Sequence, residues 1–542
     1  MATESEPAAT DSRGSLSWEA QSDLPLARAR RLPPSGSGRA GGPAYPTGYL
    51  PDRILISSLT DVARVETALR DAGERTNAWT LEVDPGYPSV VLQEPERTRA
   101  DRRTRLGSPS GTVGLRRYLI RPPADGSKPA PDAWDLLEAA RAMNGGALPG
   151  AGLDHVVTLT GVGPDPFHGT NPFHGTNPFH GTNPFATGQG SPVDSYAFAG
   201  SGGRQPVAWA GPAPLRRADA DLVGRRPVVA ILDTGCGDHE WLRDAVQRGV
   251  QCDGHDIGST DAATDPEVHP SLTGPMDGAI GEVSGHGTFI AGLVHQGCPD
   301  ADILSWRVVE ADGSIAESDL VLALTRIATL AVRHAAGLAD GRAIDVLSLS
   351  MGYYHETPRD GEFDPTMYEL LAATGRTGTL VVCSAGNDAT ERPMFPAAFA
   401  PWSTGTGVIA EPDPVAVPVL SVGALNPDPA TVALFSNGGP WVRDYAPGAA
   451  VVSTMPPLFQ GGLDPLAGVV RAGRERASID PDDFRGGFAV WSGTSFSAPV
   501  RAGTLAQHLA GRLPTVGVPE DPADARARAW DALEALTPLR RP

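Results

Sequence analysis

PVVAILDTG at residues 227–235 is a nearly continuous apolar run that ends at Asp233. A run without polar alternation is typical of a strand that is covered on both faces. Helical patterns, such as ESDLVLALTRIATLAVRHAAG (317–337) and PTMYELLAATG (365–375), separate it from four similar runs. This alternation predicts an α/β fold, with a parallel sheet and helices on both faces. The four runs are DILSWRVV (302–309), AIDVLSLSMG (343–352), TLVVCSAGN (379–387) and AVPVLSVGAL (416–425).

Residues 50–160 have a different pattern, in which short strand-like and helix-like segments follow one another closely. The segments are interpreted as β-α-β-β-β-α-β, an order compatible with a small α+β domain of the ferredoxin-like type. In this interpretation SVVLQE (89–94) is a strand that is followed by an Arg-rich loop. Asp132 is expected to cap the second helix.

Two segments have the composition of unstructured chain. Residues 1–49 end in a run rich in Pro, Gly and Ser, and residues 161–221 contain three copies of PFHGTN between 166 and 183. The repeat is interpreted as a low-complexity tether, with a metal-binding or peptide-docking tract as the alternative because its histidines recur. The expected organisation is a disordered tail (1–49), a small α+β domain (50–160), a linker (161–221), the large α/β domain (222–512) and a helical C-terminal tail (513–542).

The composition argues against several classes of function. A formal net charge of −20 disfavours nucleic-acid binding and adsorption to an anionic membrane, since both need a basic surface. The first residues are acidic where a signal peptide is basic, and no apolar run is long enough for a transmembrane helix. The four cysteines show no metal or disulfide spacing. We therefore expect a cytoplasmic protein with reduced thiols.

Short motifs in the α/β domain supply the groups that nucleophilic catalysis by serine requires. Asp233 ends a buried strand, where a carboxylate is held rigidly enough to orient an imidazole. His286 lies between glycines at a predicted helix start, and Ser495 lies in the first turn of another predicted helix. Free N–H groups at a helix start favour a developing anion. The backbone N–H of Ser495 and the side-chain amide of Asn387 are the candidate oxyanion donors.

Each motif has an ordinary structural interpretation when it stands alone. A strand-end aspartate often caps a turn, a lone histidine is more often structural than catalytic, and a Ser-rich turn is common. The tripeptide DTG at 233–235 also marks aspartic proteases, but those need a second carboxylate in a similar motif, and no other DTG or DSG occurs. The case for catalysis depends on the combination of motifs.

In that combination the segments resemble the subtilisin-like (subtilase) family, in its order Asp, His, Ser. The resemblance covers about residues 222–512, which are accordingly expected to form a peptidase domain. Two departures, Cys236 after DTG and Val500-Arg501 after the serine motif, bear on substrate preference and remove no catalytic group. The matching motifs are DTG (233–235), GHGTFIAG (285–292), SAGN (384–387) and SGTSFSAP (492–499).

The resemblance implies a serine endopeptidase with the triad Asp233, His286 and Ser495, which acts on proteins or peptides through an acyl-enzyme. Asn387 and the N–H of Ser495 would form the oxyanion hole. The chemistry needs no cofactor; members of the family often bind structural calcium, but no ligand loop is recognisable here. An extended substrate would pair as an added strand with the segment Ser348, Leu349, Ser350, Met351 and Gly352.

Alternative interpretations remain for both domains. For the peptidase domain they are a catalytically silent or permanently inhibited binding protein of the same fold, and the related sedolisin type, which uses Glu and Asp in place of His. GHGT and SAGN disfavour the sedolisin type. Residues 50–160 are expected to contact the peptidase domain, either as an intramolecular inhibitor, which the element order favours, or as a docking module for substrates or partners.

Overall fold

The structure is a computed structural model that describes residues 28–32, 44–159, 204–270, 280–357, 364–402, 409, 411–518 and 520–541. The PFHGTN repeats lie outside these residues. Among the described residues no helix combines the length and the apolar character that a bilayer crossing requires.

The helices are α1 (Val62–Asn77), α2 (Glu96–Leu106), α3 (Ala133–Met143), α4 (His286–Gly297), α5 (Glu317–Ala335), α6 (Thr366–Arg376), α7 (Thr494–Leu509) and α8 (Pro522–Leu536). The strands are β1 (Arg30–Arg31), β2 (Gly48–Ser57), β3 (Thr80–Val83), β4 (Leu115–Arg121), β5 (Ala151–Leu159), β6 (Gln205–Val207), β7 (Val228–Asp233), β8 (Val246–Arg248), β9 (Asp302–Arg307), β10 (Ser314–Ala316), β11 (Val346–Leu349), β12 (Met351–Gly352), β13 (Leu380–Ser384), β14 (Leu420–Leu425), β15 (Asp444–Pro447), β16 (Val451–Thr454), β17 (Gly468–Arg471), β18 (Arg474–Ala477) and β19 (Phe488–Trp491).

The centre of the molecule is a parallel sheet of seven strands in the order β15-β14-β13-β11-β7-β9-β8. Alternate residues of β7 enter two different cores. Val229 and Ile231 pack in the core that contains residues of α4 and α7, whereas Ala230 and Leu232 pack in the core that contains residues of α5 and α6. Both faces of the sheet are therefore covered, which explains the unbroken apolar runs and confirms the predicted α/β class.

The N-terminal region forms an antiparallel sheet in the order β5-β2-β4-β3. Ile54 and Ile56 of β2 pack in a core that α1 and α3 share, while Leu55 points to the opposite face of the sheet. Asp132 caps α3 as predicted, because its carboxylate accepts the backbone N–H groups of Trp134 and Asp135. The strands and two of the helices follow the order β-α-β-β-α-β, with one additional helix, α2, between β3 and β4.

That helix is a correction to the prediction. SVVLQE (89–94) forms only an isolated bridge between Val91 and Gly114, and the Arg-rich segment after it forms α2 where a loop was expected. Apolar periodicity did not indicate the helix because its one buried side chain is charged. Arg102 of α2 is buried against Glu94 and Glu369, so tertiary ion pairs hold a segment with almost no apolar face.

Two expected unstructured segments contain ordered residues. β1 lies within the expected disordered tail and pairs with β2, so that tail does not extend through residues 28–32 and 44–49. β6 lies within the expected linker and pairs with β19. At the other end of the chain the predicted C-terminal helix is present as α8, and its residues Ala529 and Leu533 are buried in the core that contains α7.

The N-terminal domain contacts the larger α/β domain through both its sheet and its side chains. One edge of β5 pairs with β2 and, further along, with β12, and the opposite edge pairs with β10. Leu55, Leu115 and Val157 share a core with residues of α5 and α6. The expected intramolecular contact of residues 50–160 is therefore present.

Candidate active site

Asp233 and His286 meet where the carboxyl end of β7 faces the start of α4. Oδ1 of Asp233 accepts the backbone N–H of Thr234 (2.8 Å), and it lies 2.7 Å from Nδ1 of His286. When a carboxylate accepts the Nδ1–H of an imidazole, Nε2 carries no proton and has a lone pair that can accept one. Nε2 is buried and makes no hydrogen bond to any described residue. The pair therefore presents a buried, unused proton acceptor.

Ser495 is the second residue of α7, the helix that packs against α4. Its Oγ is 3.4 Å from the carbonyl oxygen of Ser350. The rings on either side of Ser495 in the chain contact the imidazole: the centroid of His286 lies 5.5 Å from Trp491 and 5.3 Å from Phe496. Ser495 thus lies in the first turn of α7, where the backbone N–H groups point out of the end of the helix.

Asn387 follows β13, and hydrogen bonds to its side-chain oxygen hold the amide in place. Oδ1 accepts the backbone N–H and the hydroxyl of Thr494, each at 2.9 Å. This fixes the amide so that Nδ2 points away from Thr494, and Nδ2 is a buried donor with no partner among the described residues. An unpaired buried donor beside a nucleophile is what an oxyanion site requires.

The predicted substrate-binding segment divides into two parts. Ser348 and Leu349 belong to β11, which has a strand on each side in the parallel sheet, so they have no free edge. Met351 and Gly352 form β12, which pairs antiparallel with Leu159 and Thr158 of β5. The pairing edge is therefore shorter than predicted and begins beyond Ser350.

On its other side the same stretch of β5 pairs with β10. Thr158 pairs with Ser314 and Val157 pairs with Ile315, while the N–H of Leu159 donates to the carbonyl of Gly313 (3.0 Å). β5 thus lies as an added strand between β10 and β12. Because Ser350 immediately precedes β12 and its carbonyl contacts Ser495, the end of β5 is directed towards Ser495.

Glu267 is a buried carboxylate near the Asp–His pair that the motifs did not reveal. Oε1 accepts the hydroxyl of Thr234 and the backbone N–H of Gly287 (3.0 Å), and Oε2 accepts the hydroxyl of Thr288 (2.5 Å). It joins the residue after Asp233 to the two residues after His286. Burial raises the pKa of Glu267 to about 7. No short motif surrounds it, and only its acidic character near GHGT was visible in the sequence.

The thiols and the candidate metal ligands bear on other chemistries. The thiols are free and buried: Cys236, Cys252, Cys298 and Cys383 form no disulfide. Burial raises the pKa of Cys236 to about 12, so this thiol is a poor nucleophile.

Among the described residues no three carboxylates converge, so the structure assigns no calcium site. The one group of three converging ligands in this part of the chain contains two imidazoles.

A serine at a helix start, a buried Asp–His pair and an unpaired amide at the carboxyl edge of a parallel sheet define the class of site found in α/β serine hydrolases. The sequence pattern described as the Subtilase family matches residues 224–531, more than half of the chain. The chain belongs to the subtilase family, and its larger domain has the subtilisin-like α/β fold.

Three relatives illustrate the similarity. The intracellular serine protease of Paenibacillus polymyxa is 26% identical over 298 residues, 52% of this chain and 66% of that protein. The major intracellular serine protease of Bacillus subtilis (strain 168) is 24% identical over 255 residues, 44% of this chain and 63% of that protein. Serine protease AprX of the same organism is 25% identical over 302 residues, 53% of this chain and 57% of that protein. Each match spans less than two thirds of the relative's length.

One solved structure, of a cold-adapted subtilisin-like serine proteinase, aligns with a TM-score of 0.34 at 19% identity. The alignment covers 59% of this chain and 84% of that one.

Proposed function

We propose that the protein is a serine endopeptidase that hydrolyses peptide bonds through an acyl-enzyme. The observation that carries the proposal is the buried Asp233–His286 pair. Nε2 of His286 makes no hydrogen bond to the described residues, and its ring packs against Phe496 in the first turn of α7. The unpaired Nδ2 of Asn387 adds a donor where negative charge would develop. The names of the relatives, all serine proteases, favour the same activity, and two of them favour an intracellular location.

In the proposed mechanism Oγ of Ser495 attacks the carbonyl carbon of the scissile bond while Nε2 of His286 takes its proton. Asp233 keeps the proton of His286 on Nδ1 and stabilises the imidazolium that forms. The carbonyl oxygen, now an anion, is bound by Nδ2 of Asn387 and the N–H of Ser495. His286 then gives its proton to the leaving amine. Water, activated by the same imidazole, hydrolyses the acyl-enzyme and restores Ser495.

The substrate is proposed to be an extended protein or peptide segment that adds a strand between β10 and β12. The support is β5, which already lies there in antiparallel register with Ser314–Ala316 and Met351–Gly352. The side chains of Val157 and Leu159 on the covered face are buried, whereas Thr158 on the other face is half-buried.

From the same contact we infer that the N-terminal domain is an intramolecular inhibitor. A substrate strand and β5 need the same N–H and C=O groups of β10 and β12, so the two exclude each other. A docking module would leave those groups available for substrate. Release would follow cleavage of the chain between the two domains, and residues 161–221, rich in Gly and Pro, are the proposed place of that cleavage.

The test is labelling of the active-site serine with a fluorophosphonate, before and after cutting. A site for a specific protease is inserted between residues 161 and 203, the chain is cut, and the two fragments are separated. We expect labelling and peptide hydrolysis to rise on separation and to fall again when the N-terminal fragment is added back. Unchanged hydrolysis on adding it back would indicate the docking module.

Two variants of the cut protein make the test specific. Ser495→Ala is expected to abolish labelling and hydrolysis. Ser497→Ala is the matched control, because Ser497 is a buried serine of the same helix whose Oγ makes no hydrogen bond to the described residues. A folded, separated peptidase domain that is never labelled would support the catalytically silent binding protein and end the endopeptidase proposal.

A further inference from the structure

A cluster of buried imidazoles and carboxylates lies where β5 contacts the peptidase domain. Its residues are distant from Ser495 in the sequence. His155 of β5 lies between two glutamates: its Nδ1 is 2.5 Å from Oε2 of Glu317, and its Nε2 is 2.6 Å from Oε2 of Glu356. Glu317 is the first residue after β10, and Glu356 follows β12 by a few residues. The cluster therefore joins β5 to both strands that hold it.

A second imidazole completes the group. Nδ1 of His355 lies 3.5 Å from Oε2 of Glu356 and accepts the backbone N–H of Thr357 (3.0 Å), a hydrogen bond that a metal ion bound at Nδ1 would replace. The ligand atoms of His155, His355 and Glu356 all lie within 4.8 Å of one another, and the three side chains are buried. The second oxygen of Glu356, Oε1, is also buried and makes no hydrogen bond to the described residues. A buried carboxylate oxygen without a donor is a position that a cation would satisfy.

The surroundings have the organisation of a metal site. Glu317 contacts Nδ1 of His155, so Nε2 is directed to Glu356. Metal-binding histidines are usually oriented in this way, by a carboxylate on the ring nitrogen that does not bind the metal. Glu317 is itself held, because the hydroxyl of Tyr353 donates to its Oε1 (2.8 Å). The ring of Tyr353 stacks on His155 with centroids 4.7 Å apart, which fixes the plane of the imidazole.

We propose that His155, His355 and Glu356 bind a divalent transition-metal ion, with Zn²⁺ as the best match. Two imidazole nitrogens and one carboxylate are a common zinc ligand set, and they do not fit calcium, which takes oxygen ligands only. The ion replaces the hydrogen bond between Nε2 of His155 and Glu356, and the proton of that bond leaves to solvent. A fourth position is open to water or to Oε1 of Glu356.

The ion would join one ligand from the N-terminal domain to two from the peptidase domain. Binding would hold β5 between β10 and β12, so the ion is a link between the two domains and takes no part in peptide hydrolysis. The proposal depends on the observed contact and not on the endopeptidase activity, and it is tested by metal content.

The first experiment uses the full chain with His168, His174 and His180 changed to Gln, so that the histidines of the repeats cannot take up metal. The protein is stripped with a chelator, equilibrated with Zn²⁺ alone, desalted and analysed for metal. We expect one Zn²⁺ per chain, and a thermal unfolding temperature that rises on reloading. Folded protein that retains no Zn²⁺ would overturn the proposal.

The second experiment locates the ion. In the same background His355→Gln and Glu356→Gln are expected to lose the bound Zn²⁺, while His334→Gln, an exposed histidine of α5, retains it. Glu317→Gln is expected to weaken Zn²⁺ binding by about 10–100-fold, since it removes the acceptor that orients His155. If a variant unfolds, the protein with the unaltered cluster is loaded with Co²⁺ in place of Zn²⁺ and its visible spectrum is recorded. Four-coordinate Co²⁺ with nitrogen ligands absorbs strongly in the visible range, so this absorption is expected if the cluster binds the ion. Zn²⁺ content equal in His355→Gln and His334→Gln, or Co²⁺ bound without that absorption, would place the ion elsewhere.

Discussion

The candidate active site and two carboxylates of the domain contact, Glu369 and Asp154, differ in how their buried polar atoms are paired. In the site, Oδ2 of Asp233, Nε2 of His286 and Nδ2 of Asn387 are buried and make no hydrogen bond to the described residues. At the contact, both oxygens of Glu369 accept from arginines of α2, and both oxygens of Asp154 accept from Ser318.

The difference indicates what each region is for. A buried polar group without a partner costs about 1–3 kcal/mol, so several of them in one place are retained only where something else uses them. In the proposed mechanism that use is the transfer of a proton and the binding of an oxyanion. At the contact the satisfied charges hold two domains together. Substitutions should therefore lower activity in the first region and stability in the second.

Asp233→Asn is expected to have the largest effect, a loss of about 10⁴-fold in kcat with little change in KM. The amide of the asparagine can donate to Nδ1 of His286, which places the imidazole proton on Nε2, where it can no longer accept the proton of Ser495. Steady-state kinetics of the cut and separated peptidase domain measure the loss.

Asp238→Asn is the control for this change, because Asp238 lies near Asp233 in the chain and its side chain is fully exposed. Its activity should equal that of the unaltered domain. An Asp233→Asn variant within tenfold of the unaltered domain would show that Asp233 has no role in holding the imidazole.

Glu369→Ala tests the other side of the comparison. Glu369 is completely buried on α6 and accepts Nε of Arg102 at 2.9 Å and Nη2 of Arg105 at 2.6 Å. The change removes a buried partner of both arginines and leaves Arg102 with Glu94 and Arg105 with Asp413 at 3.7 Å. The free energy of unfolding should therefore fall by about 3 kcal/mol, the lower end of the range for a broken buried ion pair. Chemical unfolding of the full chain, followed by circular dichroism, measures the change.

The matched control is Glu82→Ala, which removes the acid of an exposed pair with Arg121 at 3.5 Å and should cost about 0–1 kcal/mol. Equal losses for the two variants would mean that burial of the Arg102–Glu369 pair adds nothing to stability. Glu369→Ala should leave kcat of the separated peptidase domain unchanged.

Asn387→Ala is expected to lower kcat by about 10²–10³-fold with little change in KM, the loss known for the oxyanion asparagine of subtilisin. The reason is that Nδ2 would bind the oxyanion in the transition state more strongly than the carbonyl of the substrate. Asn387→Asp serves as a second variant, since it keeps the contacts of the side-chain oxygen with Thr494 but supplies no donor. A change confined to KM would make Asn387 a substrate-binding residue.

The two regions also differ in how far the sequence predicts them. The strand-end Asp233, the helix-start His286 and the SAGN segment lie in local motifs, so their neighbourhood in space follows from the parallel-sheet topology. The contact does not follow, because its partners are distant in the chain: His155 and Glu356 are 201 residues apart, and Arg102 and Glu369 are 267 apart. Helix α2 was missed for the same reason, since ion pairs with α6 stabilise it and no apolar period marks it.

Glu267→Gln is expected to show its effect only in the dependence of stability on pH. Burial raises the pKa of Glu267 from 4.5 to about 7, so the folded protein holds this proton more tightly than the unfolded chain does. The stabilisation from that proton is fully present below pH 4.5 and is lost as the pH rises through about 7.

The free energy of unfolding of the unaltered protein should therefore decrease, relative to that of Glu267→Gln, between pH 4.5 and about 7, with a constant difference above that range. Chemical unfolding at closely spaced pH values, with Ser495→Ala in both proteins to prevent self-digestion, measures the difference. Glu475→Gln is the control, because Glu475 is exposed on β18 and should give a curve parallel to that of the unaltered protein. Parallel curves for Glu267→Gln as well would mean that Glu267 is ionised in the folded protein across this range. In that case its bonds to Thr234 and Thr288 would be those of a carboxylate, and Glu267 would resemble Glu369 and Asp154, whose oxygens all accept hydrogen bonds.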